Sequence, residues 1–133
     1  MIKLKAHIVS RGKAEGEALV TSQFISFLGS IDAKTGIVVE KGHELAGKSV
    51  KGKVLVFPGG KGSTVGSYVI YQLWKNGASP CAMINIKTEP IVAVGAIISD
   101  IPLVDRVEKN PLTAIKTGDK VLVDAITGSV EIL

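Results

Sequence analysis

Apolar and polar positions alternate with a period of two at both ends of the chain and recur with helical spacing in its middle. In residues 3–9, Leu4, Ala6 and Ile8 alternate against Lys3, Lys5 and His7, which predicts a half-buried strand. Residues 17–21 predict a second strand after the Ser10-Arg11-Gly12-Lys13 turn, and residues 37–39 a third. Between these two lie a short apolar run, residues 24–27, and a polar loop marked by Gly29 and Gly36, in which Asp32, Thr35 and Gly36 suit an Asx-type turn. Residues 43–50 read as a turn-rich connection. Residues 54–57 are continuously apolar and β-favouring, and Pro58-Gly59-Gly60 ends them. Val65, Val69, Ile70, Leu73 and Trp74 then follow helical spacing up to an Asn76-Gly77 stop.

A buried strand over residues 82–86 completes strand, helix, strand, and so a parallel βαβ unit with a right-handed crossover. Thr88-Glu89-Pro90 has the form of a helix start, so residues 91–98 read as a short helix, although their β-branched content leaves a strand open. Pro102 makes residues 101–104 an edge-like strand, because proline donates nothing to a ladder. Residues 112–115 suit a turn. Residues 120–124 and 129–133 alternate around Ala125-Ile126-Thr127-Gly128, a terminal hairpin. The expectation is an α/β protein, a layered β/β/α domain with a parallel βαβ centre, spanning residues 1–133 as a single domain.

The glycine-rich turn carries the candidate chemistry. Ser63 falls at or beside the start of the central helix. There a hydroxyl lies among unpaired backbone N–H groups and in the positive end of the helix dipole. Two readings follow: Ser63 caps the helix, or it is an unusually acidic serine beside an anion site. Lys61 either supports such a site or extends into solvent. Gly59-Gly60-Lys61-Gly62-Ser63-Thr64 is not a phosphate-binding P-loop, because Gly62 separates the lysine from the hydroxyl residue. Nor is it a nucleophile elbow, since Gly66 stands one residue too far beyond Ser63.

Composition narrows the chemistry further. The 133 residues are 46% hydrophobic and carry a net charge of +4, with scattered lysines and only 5% aromatic residues. That disfavours nucleic acid and fits a small anionic substrate or an acidic partner. No apolar run reaches the roughly 20 residues of a bilayer span, and the first residues read as a strand rather than a leader. A cytoplasmic protein without membrane contact is expected. One cysteine, Cys81, cannot supply the thiolates of an iron–sulfur cluster, and His7 and His43 lack metal-ligand spacing. No metal or cofactor is expected on this chain. Arg11 beside Gly12 is a candidate carboxylate or phosphate contact through its guanidinium fork, against a solvated turn.

Arg11, Gly16-Glu17-Ala18-Leu19-Val20, Phe27, Gly29, Asp32, Thr35-Gly36, Pro58 to Ser63, Gly95-Ala96-Ile97-Ile98, Ile101-Pro102 and Gly118-Asp119 together resemble the swivel domain of aconitase X proteins. The resemblance spans nearly the whole chain and is most specific over residues 58–64. It departs around Leu28-Gly29-Ser30, where the pattern leads us to expect an aromatic residue and a second glycine. The resemblance implies the swivelling β/β/α fold and a heterodimer with a large subunit that holds a four-iron four-sulfur cluster on cysteines. It implies a serine base at Ser63. The implied reaction is dehydration of 5-phosphomevalonate to trans-anhydromevalonate 5-phosphate, a step of a modified mevalonate route to isoprenoids. Arg11, Lys61, Gly62 and Thr64 are then candidate substrate contacts. The alternatives are a dehydratase subunit for hydroxyproline or another small hydroxy acid, and a non-catalytic interaction domain in which Ser63 only caps a helix. A phosphohistidine-carrying swivel domain is discounted, because no histidine follows His43.

Overall fold

The computed structural model describes residues 1–133. In chain order its elements are β1 (Ile2–Lys5), β2 (His7–Ser10), β3 (Lys13–Val20), α1 (Phe27–Ser30), β4 (Val54–Phe57) and α2 (Gly66–Lys75). They continue with β5 (Ala82–Asn85), α3 (Pro90–Ile98), β6 (Leu103–Asp105), α4 (Pro111–Ala114), β7 (Lys120–Asp124) and β8 (Ser129–Ile132). The strands form one sheet in the order β1-β8-β7-β3-β4-β5-β6-β2. Only Ala6 separates β1 from β2, and its N–H donates to the Gly128 carbonyl. The ladder therefore returns to the strand on which it began, and the sheet closes on itself.

β3 makes the closure workable by changing partners along its length. Residues Lys13 to Glu17 pair antiparallel with β7, and Ala18 to Val20 pair parallel with β4. β4, β5 and β6 are parallel neighbours, with Leu55 opposite Met83 and Met83 opposite Leu103. Because side chains alternate across a strand, each parallel strand feeds two cores. Leu55, Phe57, Met83 and Leu103 pack under α2 and α3. Val54, Val56, Ala82, Ile84 and Val104 point the other way, into the closed sheet against Val121, Val123 and Val130 of the terminal hairpin. This is the β/β/α layering read from the sequence.

Several local expectations change. Residues 37–39 form isolated bridges to Ser49 and Ile31 instead of a strand, because no neighbouring strand offers them a ladder. The second strand begins at Lys13, so the turn before it is only Arg11-Gly12. The helix reading of residues 91–98 holds, since the Glu89 carboxylate accepts hydrogen bonds from the Ile91 and Val92 N–H groups and overrides the β-branched preference. β6 is a buried interior strand between β5 and β2. Pro102 lies just before it, where only its carbonyl is used, by the Met83 N–H at 2.9 Å.

Candidate functional site

The carboxyl ends of the parallel strands are where an open α/β arrangement exposes backbone to a ligand, and here they carry two loops that are tied together. The Pro58 carbonyl, just past β4, accepts the Ile86 N–H at 3.1 Å, just past β5. The Gly59 carbonyl accepts from the Ile25 N–H at 3.2 Å, and the Lys61 N–H donates to the Ile25 carbonyl at 3.1 Å. The first half of the glycine turn is thus held as a short parallel bridge beside Ile25. A side chain at Gly60 would force its neighbours to move: a Cβ would lie 2.5 Å from Val92 Cγ2 and 2.7 Å from Glu89 Oε1.

Beyond that pinned segment the chain turns outward. Gly62 has φ +92°, and a Cβ there would lie 2.5 Å from Ser26 Oγ. Lys61, Gly62, Ser63 and Thr64 are all exposed. Ser63 is not the helix cap. α2 begins at Gly66 with Val65 as its N-cap, and Ser63 lies two residues earlier. Its carbonyl accepts the Gly66 N–H at 2.9 Å and its Oγ accepts the Val65 N–H at 3.1 Å. The reason is geometric: the left-handed turn at Gly62 starts a separate tight turn that must close before α2 can propagate. The hydroxyl is therefore solvent-facing, held by one backbone donor just in front of the helix. Lys61 makes no ion pair.

Beside this loop lies a cleft of about 600 Å³, lined by Phe24, the 58–60 turn and residues 86–90. Lys87 is its exposed cation. Glu89 also lines it, with its carboxylate engaged by the Ile91 and Val92 N–H groups at 3.1 and 2.9 Å. A polar chain, buried at Asn85 and Asp105, braces the 86–90 segment from beneath. The Asp105 carboxylate accepts the Thr88 N–H at 2.8 Å and bonds His7 Nδ1 at 2.8 Å. Thr88 Oγ1 donates to Asn85 Oδ1, and Asn85 Nδ2 donates to the Phe57 carbonyl, both at 3.2 Å.

The structure groups Lys61, Gly62, Ser63 and Thr64 in one loop but does not bring Arg11 to them. β2 runs antiparallel to β6, with Ser10 opposite Leu103, so Arg11 leaves the sheet at the amino end of β6. That is the end away from the cleft, and the turn holding Arg11 is a turn between β2 and β3. The sequence reading missed Lys87 and Phe24 as cleft residues and treated Glu89 only as part of a helix start. The βαβ unit already carried the missing signal for residues 86–90, since they follow the carboxyl end of its second strand.

The residues of this chain do not fit an iron–sulfur cluster. Cys81 is half-buried, burial pushes its thiol above the ordinary range, and one thiol falls short of the three or four that such a cluster takes. No three His, Cys, Asp or Glu side chains converge to hold a metal ion. No helix is long and apolar enough to cross a membrane.

Comparison with known proteins agrees with this geometry. Residues 3–132 match the aconitase X swivel domain. The chain is 67% identical over 132 residues to the phosphomevalonate dehydratase small subunit of Methanosarcina acetivorans, covering 99% of this chain and 92% of that one. It is 56% identical over 132 residues to the small subunit of the same name from Thermococcus kodakarensis, covering 99% of this chain and 97% of that one. The crystal structure of aconitase X from Thermococcus kodakaraensis, in its holo-form, superposes with a TM-score of 0.95 at 55% identity, covering 100% of this chain and 99% of that one. With its closed β/β/α sheet, its glycine turn at the carboxyl end of β4 and identity at this level along its whole length, the chain belongs to the aconitase X swivel-domain family.

Proposed function

We propose that this chain is the small subunit of a cytoplasmic hydro-lyase that dehydrates 5-phosphomevalonate to trans-anhydromevalonate 5-phosphate in a modified mevalonate route, working only with a large subunit. The observation that carries the reading is identity of 56–67% along nearly the whole chain to small subunits named for that activity. The site is consistent with a half-site. Removing water across a carbon–carbon bond needs a base for the proton beside the carboxylate and a group that draws off the hydroxyl. This chain offers the first. The ligands for the second belong to the large subunit, where the four-iron four-sulfur cluster resides in this reading.

Ser63 is the base. Its Oγ takes the proton from the carbon next to the carboxylate, the electrons of that C–H bond form the double bond, and hydroxide leaves the adjacent carbon. Proton return from Ser63 to hydroxide gives water and restores the base. The Val65 N–H on Oγ and the N-terminal end of α2 both favour the charged form of the serine. Lys61, Gly62 and Thr64 flank it as substrate-anion contacts, and Lys87 joins them from the cleft. The test is the reconstituted two-subunit enzyme carrying Ser63→Ala. The expected result is an intact complex with kcat lowered about 100-fold or more. A variant complex that keeps its dehydration rate would sink the base assignment. A wild-type complex that dehydrates another hydroxy acid but not 5-phosphomevalonate would overturn the substrate and leave the subunit assignment standing.

A further inference from the structure

Helix α3 contains no polar side chain at all: Pro90-Ile91-Val92-Ala93-Val94-Gly95-Ala96-Ile97-Ile98. A helix that is apolar all round is ordinarily buried all round. This one is buried on one side only. Val92, Gly95 and Ala96 face the core. Gly95 does so closely enough that a Cβ would lie 2.7 Å from Ile70 Cδ1 on α2. At 3.6 residues per turn, Pro90, Val94, Ile97 and Ile98 fall within an arc of about 100° on the opposite side. There Val94 is 50% exposed, Ile97 53% and Ile98 50%. The stripe does not stop at the helix end. Pro90 lines the cleft, and Ile86 and Phe24, also exposed, continue the apolar surface around its mouth.

We infer that this stripe is the surface on which the large subunit docks. The inference rests on the small-subunit reading above. Residues 90–99 carry no charge, so the partner surface is an apolar, uncharged one and association there is not electrostatic. Phe24, Ile86, Val94, Ile97 and Ile98 together leave on the order of 450 Å² exposed, comparable to the largest patch, often functional, of about 300–600 Å² on a typical monomer. That is over half of the roughly 800 Å² one partner contributes to a stable interface, enough for its apolar centre within a polar rim. Because the stripe runs into the cleft, a subunit seated on α3 also stands over the carboxyl ends of β4 and β5, beside the loop that carries Ser63. A site shared between subunits requires that adjacency.

The test is association of the chain with its large subunit, measured by titration calorimetry for the wild type, Ser63→Ala and the double variant Val94→Lys/Ile97→Lys. Both replaced positions face solvent, so the isolated double variant should melt within 2 °C or so of wild type. The expected result is wild-type affinity for Ser63→Ala and at least a 100-fold loss for the double variant. Val94→Gln/Ile97→Gln should lose at least about tenfold, and it replaces the lysine variant if that one melts early. Affinity within about threefold of wild type in a folded double variant overturns the inference while leaving the subunit reading intact. A wild-type chain that dimerises through α3 in isolation and binds the large subunit equally well with or without the lysines also overturns it, in favour of self-association. A wild-type chain that binds no large subunit overturns the subunit reading itself, and the docking surface with it.

Discussion

Replacing Asp105 with alanine should destabilise the protein far more than replacing its partner His7, and should loosen the cleft at the same time. Asp105 is 3% exposed, and its carboxylate makes two contacts, the Thr88 N–H and His7 Nδ1, each at 2.8 Å. They are not equal. The His7 side chain is 57% exposed, so that pair is screened by water and contributes about 0–1 kcal/mol. The Thr88 N–H is part-buried at the base of the 86–90 segment, and leaving it without an acceptor costs about 1–3 kcal/mol. The sum is about 1–4 kcal/mol, centred near about 2.5. At about 3–5 °C per kcal/mol for a chain of this size, that central value lowers Tm by about 8–12 °C for Asp105→Ala, and His7→Ala should lower it by less than about 5 °C. Thermal melts by circular dichroism at pH 7 measure both. Asp105→Asn, which keeps one acceptor for Thr88, should fall between them. In the two-subunit enzyme, Asp105→Ala should raise KM because Lys87 and Glu89 sit on the released segment. A fall below about 3 °C for Asp105→Ala, or an equal fall for His7→Ala, would refute the view that this carboxylate holds the cleft wall.

Gly60→Ala should cost about 1–3 kcal/mol, because the added methyl meets Val92 Cγ2 and the capping carboxylate of Glu89, and Val92 is fully buried. A melting temperature equal to wild type would show that α3 can move aside. Acid should release residues 40–48 from the end of β3. The Thr21 hydroxyl, then the Ser22 N–H, hold the Glu44 carboxyl below the ordinary glutamate range. A lowered folded-state value means that the stabilisation is complete above the ordinary range of about 4.3 and is lost as pH falls through the lowered value. The Tm gap between wild type and Glu44→Gln should therefore be present at pH 7 and close in strong acid. A gap that does not change with pH would contradict this.

The parts of this protein that were legible in its sequence are those set by neighbours along the chain. The apolar run of β4, the glycine turn and the 3.6-residue repeat of α2 are local patterns, so strand, turn and helix could be read in order. The same holds for the terminal hairpin and for the Glu89-Pro90 start of α3, where the capping acceptor and the donors it satisfies are within three residues of each other. Ser63 was legible as a hydroxyl in a glycine turn, but not its distance from the helix, because the left-handed conformation at Gly62 opens an extra turn before α2.

Ladder partners and packing neighbours are distant in sequence, and what depends on them had to wait for the folded chain. Residues 37–39 have the composition of a strand but no adjacent strand, and a strand without a partner leaves its backbone groups to turns. Pro102 looked like an edge signal, yet it stands one residue outside a strand flanked on both sides. Arg11 and Ser63 looked like members of one site until the direction of β2 put them at opposite ends of the sheet. The cleft joins Phe24 to residues 86–90, and Asp105 reaches back to His7 across 98 positions. Local sequence carries the short-range energies that choose helix, turn or strand. Closure of the sheet chooses which of those elements meet, and so where the Ser63 loop, the cleft and the bare apolar side of α3 lie relative to one another.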